Sequence, residues 1–560
     1  MVSNTLPEHE SNTSLHDMEK KQLADQLGDI HYKILPIKKL LICLFSLSLA
    51  LFLSFVDQTS VTIALATIGK DLHAETTINW APTASLLANC ICQVLFGRLS
   101  DIFGRKVMLI TCLICLSLGE LICSFAKSGV EFFVFRALTG LSCGGIQSLC
   151  MVILSDVVTL KQRGKYQGIL GASVGLGNSI GPFMMAAFIE HNTWRNFYRM
   201  MCPINILAFV IIAIFIDTKQ QTKQLNQLLS KSEQFKKLDY LGMLIGCSGL
   251  TLLLVSISSG GSTYNWNSAP VISMFVIGGI LLITFLFVEW KVPELPMIPL
   301  NLFSRFSLGL ILGSNFFFGM AYYGFTFYIA YYYQIVLGLD SIHSAILMLP
   351  LVIPQSVVSA IAGQIISYTG HYIYVIIFGY SLWTLSCGLT LLFDSNTNYG
   401  VITVVLLLMG TGVACTFQPT MVAAQSQAKK SERAVVISCR NVIRSLGGAV
   451  GLAVASLIIT NSLLKEITKQ ENRQDISSTS SVPTGYLMYL KTHVYSKVDT
   501  TQLTADQVLI VRQMYMQAIR NFFYLTIPLL ALCLISSLFV KDKGLQCIDE
   551  EPEKEEKELQ

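Results

Sequence analysis

Roughly fourteen runs of about twenty mostly apolar residues constrain this chain more than any other feature. They lie near 40–65, 80–99, 107–126, 132–155, 167–189, 197–216, 240–258, 270–289, 308–333, 344–367, 373–393, 401–424, 435–461 and 522–540. At 1.5 Å per residue, a run of that length crosses the hydrocarbon core of a bilayer as one helix. Lipid offers no partner to backbone amides, so helices are the open-ended solution. Composition agrees: charged residues are 13% of the 560, where soluble domains carry about 25%, and mean hydropathy is +0.57. A soluble globule and a disordered chain are both excluded. The fold class implied is an all-α integral membrane protein with about fourteen transmembrane helices.

Short loops orient such a chain. One set carries Lys33, Lys38, Lys39, Arg98, Arg105, Lys106, Lys161, Arg163, Lys165, five lysines between 219 and 237, Lys429, Lys430 and Arg433. The other holds little beyond Lys70, Lys127 and Arg195. The first set is therefore expected to be cytoplasmic, with both termini inside. The net charge of +4 is too small to suggest nucleic-acid binding. The fifteen cysteines sit mostly in apolar runs, where a thiol behaves as a small hydrophobe. No disulfide frame and no metal spacing is visible, and no cofactor is expected.

Two halves repeat weakly. Gly97 and Gly104 recur as Gly363 and Gly370, an offset of 266 (363 − 97). Arg163 recurs as Arg433, and Gly177 and Gly181 as Gly447 and Gly451, an offset of 270 (433 − 163). The expected layout is a polar tail over 1–39, a six-helix bundle over 40–216, and a cytoplasmic loop over 217–239. An inserted helix pair follows over 240–289, then a second six-helix bundle over 290–540 with an external loop at 462–520. An acidic tail over 541–560 ends the chain. Repeated halves of this kind place a solute site near the bilayer midplane between them.

The most specific motif is GRLSDIFGRK, Gly97 to Lys106. Gly97 and Gly104 permit close packing and a tight turn. Asp101 can pair locally, and Arg105 and Lys106 hold the loop at the cytoplasmic side. In the second half Ser367, His371 and Tyr372 stand where these charges would be. The fifth run carries Gly168, Gly171, Gly175, Gly177 and then Gly181-Pro182, glycines spaced for close helix approach around a kink. These motifs, with FVDQTSVTIALATIG (55–69), RGKYQGILGASVGLG (163–177), LDYLG (238–242) and RSLGGAVG (444–451), resemble the fourteen-span drug:proton antiporter branch of the major facilitator superfamily. The resemblance covers about 40–540 and is nearest to fungal multidrug exporters and vacuolar basic-amino-acid transporters. It implies two six-helix repeats plus an inserted pair. It also implies a cytoplasmic latch at Gly97, Asp101, Gly104, Arg105 and Lys106, and an antiporter motif at Gly177, Gly181 and Pro182. Met185 and Ala186 stand where that motif usually continues with glycines.

Ionisable groups within the membrane are costly and therefore candidates for function. Asp57 lies in the first run and Arg136 in the fourth, at depths where they can meet. A nearby cation favours the ionised carboxyl and desolvation opposes it, so such an acid is poised to exchange a proton. The family resemblance implies the same role in proton coupling. A static pair fixing helix packing is the plainer reading. Glu120 has no evident partner in the sequence, Arg440 is read as snorkelling to the interface, and Arg444 fits the RSLGG pattern. The ninth run is crowded with aromatics, one stripe of which, Asn315, Tyr322 and Gln334, is assigned to a substrate cavity. The function expected is a proton-coupled antiporter exporting drugs, toxins or other organic solutes, acting as a monomer in the plasma membrane. The alternatives are a vacuolar basic amino acid transporter and a non-transporting sensor on the same fold. No phosphate-binding loop, catalytic triad or HExxH helix is present, so neither an ATP-driven pump nor an enzyme is expected.

Overall fold

The computed structural model describes residues 36–75, 77–78, 80–215, 240–260, 264–291, 302–428, 432–474, 482–492, 503–542 and 544–545. The polar tail before 36, the 217–239 loop, parts of the 462–520 segment and the acidic run after 545 lie outside the described residues.

Among the described residues, fourteen helices are long and apolar enough to cross a membrane. They are α1 Ile37–Asp71, α2 Trp80–Phe103, α3 Arg105–Cys123, α4 Gly129–Val157, α5 Leu160–His191, α6 Trp194–Phe215 and α7 Tyr240–Ser259. There follow α8 Ala269–Lys291, α9 Phe306–Tyr331, α10 Ser341–Thr369, α11 Ile373–Leu389, α12 Tyr399–Phe417, α13 Arg433–Gln474 and α14 Ala505–Leu538. A short helix, Pro419–Ser426, prolongs α12. Polar residues start several helices by accepting from free amides of the first turn. Ser128 does so for α4, Asp340 for α10 and Asn398 for α12.

Several helices outrun their apolar windows. α1 continues to Asp71, α13 to Gln474, and α14 starts at Ala505 rather than near 522. Hydropathy finds only the apolar stretch of a helix, whichever way it faces, and misses polar extensions. The extensions of α13 and α14 instead bury one face against each other through Leu463, Ile467, Val511 and Tyr515, with Asn521 donating to Ser462 at 3.0 Å. The segment 462–520, expected as a loop, is thus partly helical, including a short helix Thr484–Thr492.

α1–α6 and α9–α14 form two bundles that meet along two seams. In the first, α5 crosses α10 where neither helix has side chains to hold it away. A Cβ on Gly168 would lie 2.7 Å from the Ser359 carbonyl oxygen and 3.2 Å from the Gly363 Cα. In the second, α2 meets α13. Ser148 of α4 and Ser438 of α13 share a hydrogen bond of 2.9 Å, and Gln93 donates to Ser445 at 3.0 Å. The α7–α8 pair lies over this second seam. Leu254 packs with Leu87 and Ala449, and Phe285 with Cys90 and Val442. Outward-facing Leu244, Ile283 and Val134 remain exposed, as a lipid-facing surface requires.

Gly168→Val should lower the melting temperature of the detergent-purified protein, since overpacking a filled interface costs about 1–3 kcal/mol. Gly279→Ala, where an added methyl meets nothing within 4 Å, is the matched control and should not lower it.

Candidate functional site

The first half carries a charge pair sealed from solvent. Arg136 Nη1 lies 2.6 Å from Asp57 Oδ1, and both side chains have zero exposure. Arg136 Nη2 donates to the Asp57 carbonyl at 3.4 Å and to Ser85 Oγ at 3.5 Å. Gly140, one turn along α4, makes this possible, because any side chain there would overlap the Ser85 carbonyl and push α2 away. Cys143 Sγ donates to Asp57 Oδ2 at 3.7 Å, so both carboxylate oxygens are engaged. Gln147 of α4 donates to Gln58 at 3.2 Å and extends the polar layer along α1. Behind it, Asn205 of α6 donates to Oε2 of Glu120, while Glu120 Oε1 and the Tyr198 hydroxyl have no partner among the described residues. The unexplained acid of α3 is therefore held by an amide, not a cation.

The second half is built differently. Arg440 and Arg444 stand one turn apart on α13 and are 1% and 2% exposed. Arg440 donates to Thr420 Oγ1 at 2.8 Å, to the Phe417 carbonyl and to Asn441 at 3.1 Å. Arg444 donates to the Tyr323 hydroxyl at 2.8 Å and lies 4.8 Å over the Phe417 ring. Among the described residues neither meets a carboxylate. Arg440 does not snorkel: its head group is turned inward, onto the carbonyl that α12 frees before Pro419.

Tyr322 joins the two halves. Its hydroxyl accepts from Asn178 of α5 at 2.9 Å and donates to Gln355 of α10 at 3.3 Å. Its ring packs against Phe318, Trp383 and Phe417, the last of which Arg444 also covers. Asn315 is near this cluster through Thr420, which donates to it at 3.5 Å. Gln334 lies apart, in the π-helical turn Tyr332–Val336, and donates to the Ile63 carbonyl at 3.4 Å. Asn178, Gln355, Thr420 and Phe417 were not singled out from the sequence. The usable signal was polar side chains inside apolar helices, with Arg440 and Arg444 spaced to share one face.

At the motif end, Arg105 Nη1 lies 2.6 Å from Asp101 and its Nε 3.1 Å from Asp156 at the end of α4. Lys106 donates to the Ala213 carbonyl at 2.8 Å. Gly104 turns the chain at φ +93°, and Gly97 lies against Ser438 of the other half. Gly177 and Gly181 instead face α1, close to the carbonyls of Phe52 and Val56, and Pro182 lies inside α5.

The sequence profile of the Major Facilitator Superfamily matches residues 47–452. The chain belongs to the Major Facilitator Superfamily. Citrate exporter 1 of Yarrowia lipolytica is 39% identical over 546 residues, 96% of this chain and 78% of that protein. The MFS-type transporter clz4 of Cochliobolus lunatus is 32% identical over 95% of this chain and 89% of its own, and efflux pump dotC of Dothistroma septosporum is 32% identical over 77% and 73%. Among solved structures, the human transporter MFSD10 superposes with a TM-score of 0.55 at 14% identity, over 89% of this chain and all of that one, which shows the shared fold. The protein is a membrane transporter of small solutes, not an enzyme.

Arg136→Leu should destabilise the purified transporter by about 3–5 kcal/mol, because it leaves the buried Asp57 carboxyl without its cation, whether it stays charged or takes up a proton. Asp57→Asn with Arg136→Gln should cost less than the sum of the single changes, as read from a double-mutant cycle of melting curves.

Proposed function

We propose that this transporter exports organic anions bearing two or more carboxylates, with Arg440 and Arg444 as the anion site. The observation that carries this reading is the burial of two guanidinium groups, one turn apart, with no acidic partner among the described residues. Buried charge is tolerated when it is paired. A polycarboxylate entering between the halves supplies the missing charge, and a guanidinium fork matches a carboxylate in shape as well as sign. The similarity to a protein named as a citrate exporter supports the same class. A basic amino acid would meet like charge here, which disfavours that alternative. Export of lipophilic compounds is the second reading. It is favoured by the Phe318, Tyr322, Trp383 and Phe417 cluster and by relatives named as efflux pumps.

Proton coupling belongs in the first half. When the halves part and water reaches the pair, a proton taken up by the Asp57 carboxyl releases Arg136, and re-forming the pair expels it. The Asp101–Arg105–Asp156 cluster would hold the cytoplasmic end closed by keeping Gly97 against Ser438. We place the protein in the plasma membrane with the motif end inside.

Tricarboxylate transport into inside-out vesicles tests this. Arg440→Gln or Arg444→Gln should raise the KM about tenfold or more, the worth of one charged hydrogen bond. Arg444→Lys should fall between, keeping charge but losing the fork. Asp57→Asn should abolish acceleration by a pH gradient while leaving carboxylate binding intact. Transport insensitive to both arginines would refute the anion site.

A further inference from the structure

The two motif ends of the repeat are not built alike. In the first half, Asp101 and Asp156 hold Arg105 across the turn at Gly104. The turn recurs at Gly370, φ +75°, but offset 266 puts Ser367 at the acid position and His371 at the arginine position, and offset 270 puts Ser426 where Asp156 stood (426 − 156). Neither α10 nor α12 offers a carboxylate to this turn.

A carboxylate is present there all the same. It comes from the chain after α14. Asp542 Oδ2 accepts from the Tyr372 and Ile373 backbone amides at 3.1 and 3.3 Å and lies 3.3 Å from His371 Nδ1. Its side chain is 10% exposed. Its other oxygen accepts from the Gly544 amide at 2.7 Å, which folds the tail back on itself. The neighbouring residue is held as well. The Lys541 amide donates to Ser307 at the start of α9 at 3.3 Å, and its carbonyl accepts from Gln427 at 3.0 Å. Gln427 also donates to the Tyr372 hydroxyl at 3.0 Å, and its carbonyl accepts from Arg305, which forks onto Glu432 at 2.8 and 2.9 Å. Three segments that are remote in sequence, the start of α9, the turn between α10 and α11, and the chain after Ser426, thus meet on two residues of the tail.

We infer that Asp542 supplies from the C-terminal segment the acid that the second half of the repeat lacks, as a positioning residue that makes the motif end of α9–α14 move as one body. An acceptor at the first amides of α11 also opposes the positive end of that helix. Rigid halves are what a rocking exchange needs, since slack at this turn would let α10 shift against α5 without moving the rest of its bundle. The inference rests on the fold and not on the anion reading, so its test uses no cargo.

Hydrogen–deuterium exchange on the full-length protein in nanodiscs reads it directly. Asp542→Ala should speed exchange of the peptide spanning 371–376 about tenfold, and that of 363–369 in the same direction. Ser367→Asp with His371→Arg rebuilds the first-half arrangement within the second half. Added to Asp542→Ala, it should restore most of the protection, a rescue that simple loss of fold would not allow. Unchanged exchange in Asp542→Ala, or failure of the rebuilt pair to slow it, overturns the inference. If Asp542→Ala does not reach the membrane, Asp542→Asn decides: it keeps an acceptor oxygen and loses the charge, and should give a smaller rise in exchange, none being contrary.

Discussion

A guanidinium group shut away from water must find negative charge, find dipoles, or wait for a ligand. This chain shows the first two, and the proposed anion site would supply the third. Arg136 has Asp57, and the pair closes the first half around α1, α2 and α4. Arg440 has carbonyl and hydroxyl dipoles at the break between α12 and its continuation. Arg444 has a tyrosine hydroxyl and an aromatic face. Dipoles and ring faces compensate a full charge only in part, and among the described residues neither guanidinium of the second half meets a carboxylate. The electrostatic asymmetry between halves, an Arg136–Asp57 pair in one and two guanidinium groups without a carboxylate among the described residues in the other, is the property from which the proposed division between proton site and solute site follows.

The asymmetry works only if the halves sit close enough for Asn178 and Tyr322 to touch across them. Small residues make that approach possible. Gly168 and Gly363 remove the side chains that would separate α5 from α10, while serines at 148 and 438 add a short hydrogen bond near Gly97. Polar contacts of this kind are individually modest in membrane proteins, often below about 1 kcal/mol. Weak, numerous contacts suit an interface that must open and close. The Asp101–Arg105 pair lies within one half, so the latch proposed for it would bias the seam by shaping Gly97's helix rather than by bridging the halves itself.

Much of this was legible in the residues. Spans followed from apolar length alone, because lipid permits so few alternatives. Asp57 and Arg136 were found because charge in lipid is rare, and the GRLSDIFGRK turn because its glycines and charges are spaced so distinctively. Arg440 was misjudged: a long cationic side chain near a helix end ordinarily reaches the interface, and only the neighbouring carbonyl of Phe417 explains why this one turns inward. Asn205 was invisible as a partner for Glu120, since α3 and α6 are joined by packing and not by any local pattern. The aromatic crowd of α9 offered no register, so Tyr322 and Gln334 looked alike although only Tyr322 reaches the other half at the aromatic cluster. Asp542 lay in a segment whose acidic, polar composition reads as solvated tail.

The central claim is that fixed buried charge on α13 selects an anionic cargo. Equilibrium binding of a radiolabelled tricarboxylate to the purified wild-type protein, competed by its neutral triester and by a lipophilic cation, tests it most directly. The account predicts that unlabelled tricarboxylate displaces the label while the ester and the cation do not at comparable concentrations. Displacement by the ester or the cation as readily as by the acid would contradict it.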